Sequence, residues 1–156
     1  MNPKRTDAEA QLRGFVAKFA PKLRTLIRAL RKSMRRLFPT AHELVYDNTN
    51  CFVIGYGPTE RPSDCYFSLA AAANGVGLSF MHGASLPDPK RILLGSGKQN
   101  RFVRLTSPAV REQPEVQALL AVAIAHSRTA LPTTGRGKLI IRSISAKQRP
   151  RRKIAP

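Results

Sequence analysis

Apolar positions change their period along the chain, and the changes divide it into elements. Over residues 7–19, Leu12, Phe15, Val16 and Phe19 recur at helical spacing, and Asp7 stands where an N-cap belongs. Pro21 suits the first turn of a second helix over 21–37. Its apolar stripe is Leu23, Leu26, Ile27, Leu30, Met34, Leu37 and Phe38, and Pro39 stops it. From residue 43 the period drops to two. Segments 43–46 and 51–57 flank Asp47-Asn48-Thr49-Asn50 and predict a hairpin. Further strands are predicted over 65–72 and 76–82, around the turn Asn74-Gly75, and over 101–105. Glycines and prolines mark 83–100 as a long structured loop. Pro114 and Glu115 open a third helix over 114–130, with Val116, Leu119, Leu120, Ala123 and Ile124 inward. Residues 138–144 read as extended.

This order predicts an α+β fold: an antiparallel sheet of about five strands, with helices from both ends of the chain packed on one face. A length of 156 residues suits a single domain. We divide it into an N-terminal helical extension (1–20), one α+β domain (21–145) and a basic tail (146–156).

Charge changes the picture most. Lys and Arg number 27 against 9 Asp and Glu, a net charge of +18. The excess sits at the ends. Residues 1–41 carry 11 basic and 2 acidic side chains, and residues 132–156 carry 8 basic and none acidic. Residues 42–89 are net acidic, with 1 basic and 5 acidic side chains. Arg24, Arg28, Arg31 and Arg35 are spaced 4, 3 and 4, so they form one strip beside the apolar face of helix 21–37. Like charges at i,i+4 repel by roughly 0.2–0.5 kcal/mol each. Either acidic residues of the middle segment, such as Asp47, Glu60 or Asp64, pack against the strip, or an external polyanion does. Arg151 and Arg152 belong to a second basic run, Lys147-Gln148-Arg149-Pro150-Arg151-Arg152-Lys153. It lacks interleaved aromatics, so phosphate contact is expected rather than base stacking.

Other chemistry is sparse. No run of 18 apolar residues predicts a membrane span, and no secretory apolar core follows the N-terminus. Two cysteines, Cys51 and Cys65, fall on neighbouring strands at positions too far apart to bridge, which suits a reducing cytosol. His42, His82 and His126 lie about 40 residues apart, without metal-ligand spacing. Gly95-Ser96-Gly97-Lys98 lacks the spacing of a Walker loop, because Ile92 and Gln99 stand where Gly and Ser/Thr are required. Two exposed glycine N–H groups beside Lys98, Arg101 and Arg104 would still suit a modest anion nest.

Gly55-Tyr56-Gly57-Pro58-Thr59-Glu60-Arg61, Leu86-Pro87-Asp88-Pro89 and Gly95-Ser96-Gly97-Lys98-Gln99-Asn100-Arg101 together resemble motifs of the YdhG-like family. So does Ile141-Arg142-Ser143-Ile144 with the basic residues after it. The resemblance spans roughly 21–152. It implies an α+β domain of the YdhG/YjbR/CyaY-like (frataxin-like) superfamily, one branch of which is linked to iron delivery through acidic surfaces. This chain has only 9 acidic residues.

The leading expectation is therefore a non-enzymatic cytoplasmic domain that binds nucleic acid or another polyanion, with no membrane partner. Arg24, Arg28, Arg31, Arg35, Lys98, Arg101, Arg151 and Arg152 are its anion-binding candidates. The alternative is a small-ligand or iron-delivery module with a pocket of Tyr56, Glu60, Asp88, Lys98 and Arg101. A third reading, an enzyme, has no supporting constellation. No catalytic residue, cofactor or metal site is expected.

Overall fold

A computed structural model describes residues 3–153, with side chains from residue 7 onward. Residues 1–2 and 154–156, the outermost parts of the predicted extension and tail, lie outside the described residues. Helices α1 (Pro3–Ala17) and α2 (Pro21–Leu37) precede strands β1 (His42–Asp47), β2 (Phe52–Gly57), β3 (Phe67–Ala72), β4 (Gly75–Phe80) and β5 (Arg101–Leu105). Helices α3 (Pro108–Arg111) and α4 (Pro114–Ala125) follow, and strand β6 (Leu139–Ile144) comes last.

The fold is α+β, and two details of the sequence reading need correction. The sheet has six strands in the order β5-β4-β3-β2-β1-β6, and it is mixed. The predicted extended segment is its sixth strand, parallel to β1. A parallel neighbour needs a long crossover, and the run from β5 through α3 and α4 supplies it. Asp7 does not cap α1, because the helix already runs from Pro3.

Alternation along the strands puts one residue set on the helix-covered face. Phe52 pairs with Ala71, Ile54 with Leu69 and Tyr56 with Phe67. Leu69 pairs in turn with Leu78, and Leu78 with Val103. These residues join Leu12, Phe15 and Val16 of α1, Ile27, Leu30 and Met34 of α2, and Val116, Leu119 and Leu120 of α4 in one core. Phe67 is its hub, with ring centroids of Phe38, Tyr56, Tyr66 and Phe80 within 5.2–6.4 Å. Burying one such ring stabilises the fold by about 1.5–3 kcal/mol. The β3–β4 turn needs glycine, since Gly75 has φ +138°.

The same alternation carries two acids inward. Glu43 pairs with Tyr56, Val45 with Ile54 and Asp47 with Phe52, so Glu43, Val45 and Asp47 share the core face. Both carboxylates lie buried beneath the helices. A buried carboxylate requires a cation or several donors, and that requirement organises everything described below.

Candidate functional site

Glu43 lies under the middle of α2. Arg31 Nε donates to its Oε2 at 3.0 Å and Arg31 Nη2 to its Oε1 at 2.9 Å. The other edge of the same guanidinium meets Glu9 of α1, with Nη1 and Nη2 donating at 3.0 and 2.9 Å. Arg31 is thus clamped between two carboxylates in the bidentate geometry its planar fork favours. Burial opposes its charge, but the hydrogen bonds to Glu9 and Glu43 outweigh that and hold its pKa above the ordinary value. Tyr56 donates its hydroxyl to Glu43 Oε2 at 2.9 Å. Burial and the Glu43 charge push this phenol upward, so it stays a donor. Arg35 approaches both acids at 3.6 Å.

Cations exceed acids here, and the surplus lines a groove of about 550 Å³ between α1 and α2. Leu12, Val16 and Ile27, all core residues, form its floor, and exposed Pro39 adds apolar surface. Arg13 stands on the α1 side; Arg28, Arg31, Lys32, Arg35 and Arg36 stand on the α2 side. Arg136, from the segment before β6, completes the wall. Among the described residues no carboxylate lines the groove, and no salt bridge engages Arg13, Arg28, Lys32, Arg36 or Arg136.

Arg136 owes its place to the next residue. Gly137 donates its N–H to the Pro39 carbonyl at 3.0 Å, and a Cβ built on Gly137 would fall 1.7 Å from the Ala41 carbonyl oxygen. Only glycine lets this segment lie flat against the start of β1, from which Lys138 bonds to His42 and Glu43.

The basic tail has a different fate. Arg151 is buried, and its Nη2 donates to Asp47 Oδ1 at 2.9 Å and to the Asn48 carbonyl. Lys18 reaches Asp47 Oδ2 at 2.5 Å, and Gln148 donates to the Asp47 carbonyl at 2.9 Å. Nε and Nη1 of Arg151 are buried without a hydrogen-bond partner among the described residues. Burial alone would raise the Asp47 pKa, but hydrogen bonds from Lys18, Arg151 and Gln148 bring it below the usual carboxylate range. Arg152 Nε contacts the Lys18 carbonyl at 3.3 Å.

The structure therefore sorts the predicted anion-binding residues. Arg31 and Arg151, expected as anion-binding groups, pair instead with the molecule's own carboxylates. Arg28 and Arg35 line the groove; Arg24 is half-buried on α2 outside it. Lys98 is exposed on the loop before β5, where Arg101 donates to the carbonyls of Gly97 and Asn100. Sequence reading missed Arg13, Lys32, Arg36 and Arg136 as groove residues, and Glu9 and Glu43 as the acids opposite α2.

The predicted pocket of Tyr56, Glu60, Asp88, Lys98 and Arg101 does not assemble. Tyr56 sits in the core on β2, and Arg101 lies three strands away on β5, about 14 Å at the usual strand spacing. Glu60 is exposed and pairs with Lys138 at 3.3 Å. Asp88 accepts the N–H groups of Ile92 and Leu93, both at 2.9 Å, and so closes a turn. Cys51 and Cys65 are free thiols. Burial, helped by nearby Asp64, pushes the Cys65 thiol up to about 11, which keeps it protonated and unreactive at neutral pH. Among the described residues no three His, Cys, Asp or Glu side chains converge as metal ligands, and no helix is long and apolar enough to cross a membrane.

Fold and groove together define a helix-on-sheet α+β domain with an open cationic slot. No protein-family model matches the chain, and no curated protein or solved structure does.

Proposed function

We propose that this protein is a non-enzymatic, YdhG-like binding domain whose ligand is nucleic acid, held by its phosphates in the groove between α1 and α2. One observation carries the reading. Seven cations from three elements line a single recess, and five of them, Arg13, Arg28, Lys32, Arg36 and Arg136, have no internal ion pair among the described residues. Such a concentration of positive charge repels itself, and an entering polyanion relieves it. Half-buried Arg24 and exposed Arg152 and Lys98 extend the positive surface beyond the groove and add sequence-blind phosphate contacts.

The test is the salt dependence of binding to a fluorescently labelled single-stranded DNA. Log affinity falls with log salt by about 0.7 per phosphate neutralised. Replacing Arg28, Lys32 and Arg36 together by Gln lowers that slope by about 2, three contacts at that increment. An unchanged slope in a folded triple variant removes the groove from the binding surface.

A further inference from the structure

The groove has a shape as well as a charge. It runs over one turn of α1, from Leu12 to Val16, and over Ile27–Arg36 of α2. That is about 13 Å at 1.5 Å per residue. Its volume of about 550 Å³ falls in the range of small-molecule pockets. Leu12, Val16 and Ile27 form its floor but are buried in the core, so the accessible wall is exposed Pro39 and the side chains of the cations. Cations without an ion pair among the described residues line it from separate elements: Arg13 on α1, Arg28, Lys32 and Arg36 on α2, and Arg136 on the strap fixed by Gly137.

We infer that this groove is a terminal-phosphate pocket. It takes the phosphomonoester end of a nucleic-acid strand, with the adjoining base against Pro39 and the arginine side chains, in preference to a stretch of internal backbone. The inference rests on the polyanion reading of the same site and narrows it. A phosphomonoester carries about −1.5 to −2 charge at neutral pH and three strong acceptor oxygens. An internal diester carries one charge and two free oxygens. Donors converging from three elements match the former, because guanidinium forks approaching from different directions can each engage their own oxygen. The planar base can then stack on a guanidinium plane. A free nucleotide offers the same chemistry, so strand end and nucleotide must be separated by experiment.

Three fluorescent single-stranded DNAs of one sequence serve as probes, carrying a 5′-phosphate, a 3′-phosphate or hydroxyls at both ends. One phosphorylated form binds at least about tenfold more tightly than the hydroxyl form, a difference of about 1.4 kcal/mol. The preference disappears in the double variant Arg13→Gln/Arg136→Gln, whose thermal midpoint changes little; binding of the hydroxyl form weakens as well, but by less than binding of the phosphorylated form. Adenosine monophosphate competes with the preferred probe, but at least about tenfold more weakly than the unlabelled phosphorylated strand; equal or tighter competition by the mononucleotide assigns the groove to a free nucleotide and overturns the strand-end inference. Equal affinity for all three DNAs overturns the terminal-phosphate inference and leaves the polyanion reading standing. Absence of binding by any of them at low salt removes both. A preference that survives in the double variant, or that adenosine monophosphate cannot compete away, places the phosphate elsewhere and also overturns the inference.

Discussion

Glu43 and Asp47 lie four residues apart on the same face of the same strand, and their surroundings differ in one respect. Asp47 is closed. Its side chain is 0% exposed, Lys18 and Arg151 engage its two oxygens, and Gln148 ties the same turn to the tail. Glu43 is open-ended. Its side chain is 5% exposed and its partner Arg31 is shared with Glu9, but the cations around it outnumber the acids and continue into the groove. Positive charge near a buried acid thus has two uses in this molecule. At Asp47 the basic tail becomes part of the fold. At Glu43 the paired guanidinium forms one wall of a recess in which five further cations have no ion pair among the described residues.

Three changes break or sharpen this contrast. Asp47→Ala has the largest expected effect, because it strands Arg151 in the interior without a counter-charge. Urea unfolding should show a loss of about 3–5 kcal/mol, and a loss under about 1 kcal/mol would mean that the tail is not anchored there. The same carboxylate shapes the acid limb of stability. Its folded pKa is depressed, so its contribution is complete above the ordinary carboxylate pKa of about 4. The contribution is lost as pH falls below that, through the lowered folded value. Asp47→Asn should flatten the decline of stability below about pH 4.

Glu43→Gln comes second. The amide keeps the shape and can still accept from Tyr56, and Arg31 retains Glu9, so the expected loss is about 1–3 kcal/mol. Removing this negative charge beside the groove should also tighten DNA binding by about twofold, the modest effect of a partly screened charge. If it destabilised more than Asp47→Ala, the open and closed assignments would be reversed. Lys18→Gln comes last. Lys18 is 41% exposed, and Arg151 remains on Asp47, so a change under about 1 kcal/mol is expected from the same unfolding experiment.

Much of the fold was legible because its causes are local. Pro21 and Pro39 bracket α2 within one or two residues, and strict alternation in Phe52, Ile54 and Tyr56, then Phe67 and Leu69, announced the meander. Strand β6 was half legible. Leu139-Ile140-Ile141 is an extended run, but its place beside β1 depends on contacts some 96 residues away, such as Glu43 with Leu139, which leave no local period. The site was legible as charge and illegible as geometry. The Arg28, Arg31, Arg35 strip was readable, but its division into a clamped Arg31 and an open Arg28 depends on which carboxylates reach it.

A signal for those carboxylates was present in the pattern. Glu43, Val45 and Asp47 share the parity of the core residues opposite them, which places two acids beneath helices whose polar sides are cationic. Arg136 was signalled only by its neighbour. Nothing in the sequence shows that Gly137 presses on the Ala41 carbonyl until the two segments are folded together.

The hydrogen bonds between residues 145–151 and the turn at 47–49 bear on how the chain is made. On a translating ribosome, β1 and β2 emerge long before the segment that completes the neutralisation of Asp47. Until then the nascent chain must leave that strand end hydrated, or bury an acid with Lys18 alone beside it. Final closure of this edge of the sheet is therefore a late event in biosynthesis. A polypeptide arrested before residue 151 would lack the guanidinium that completes this closure.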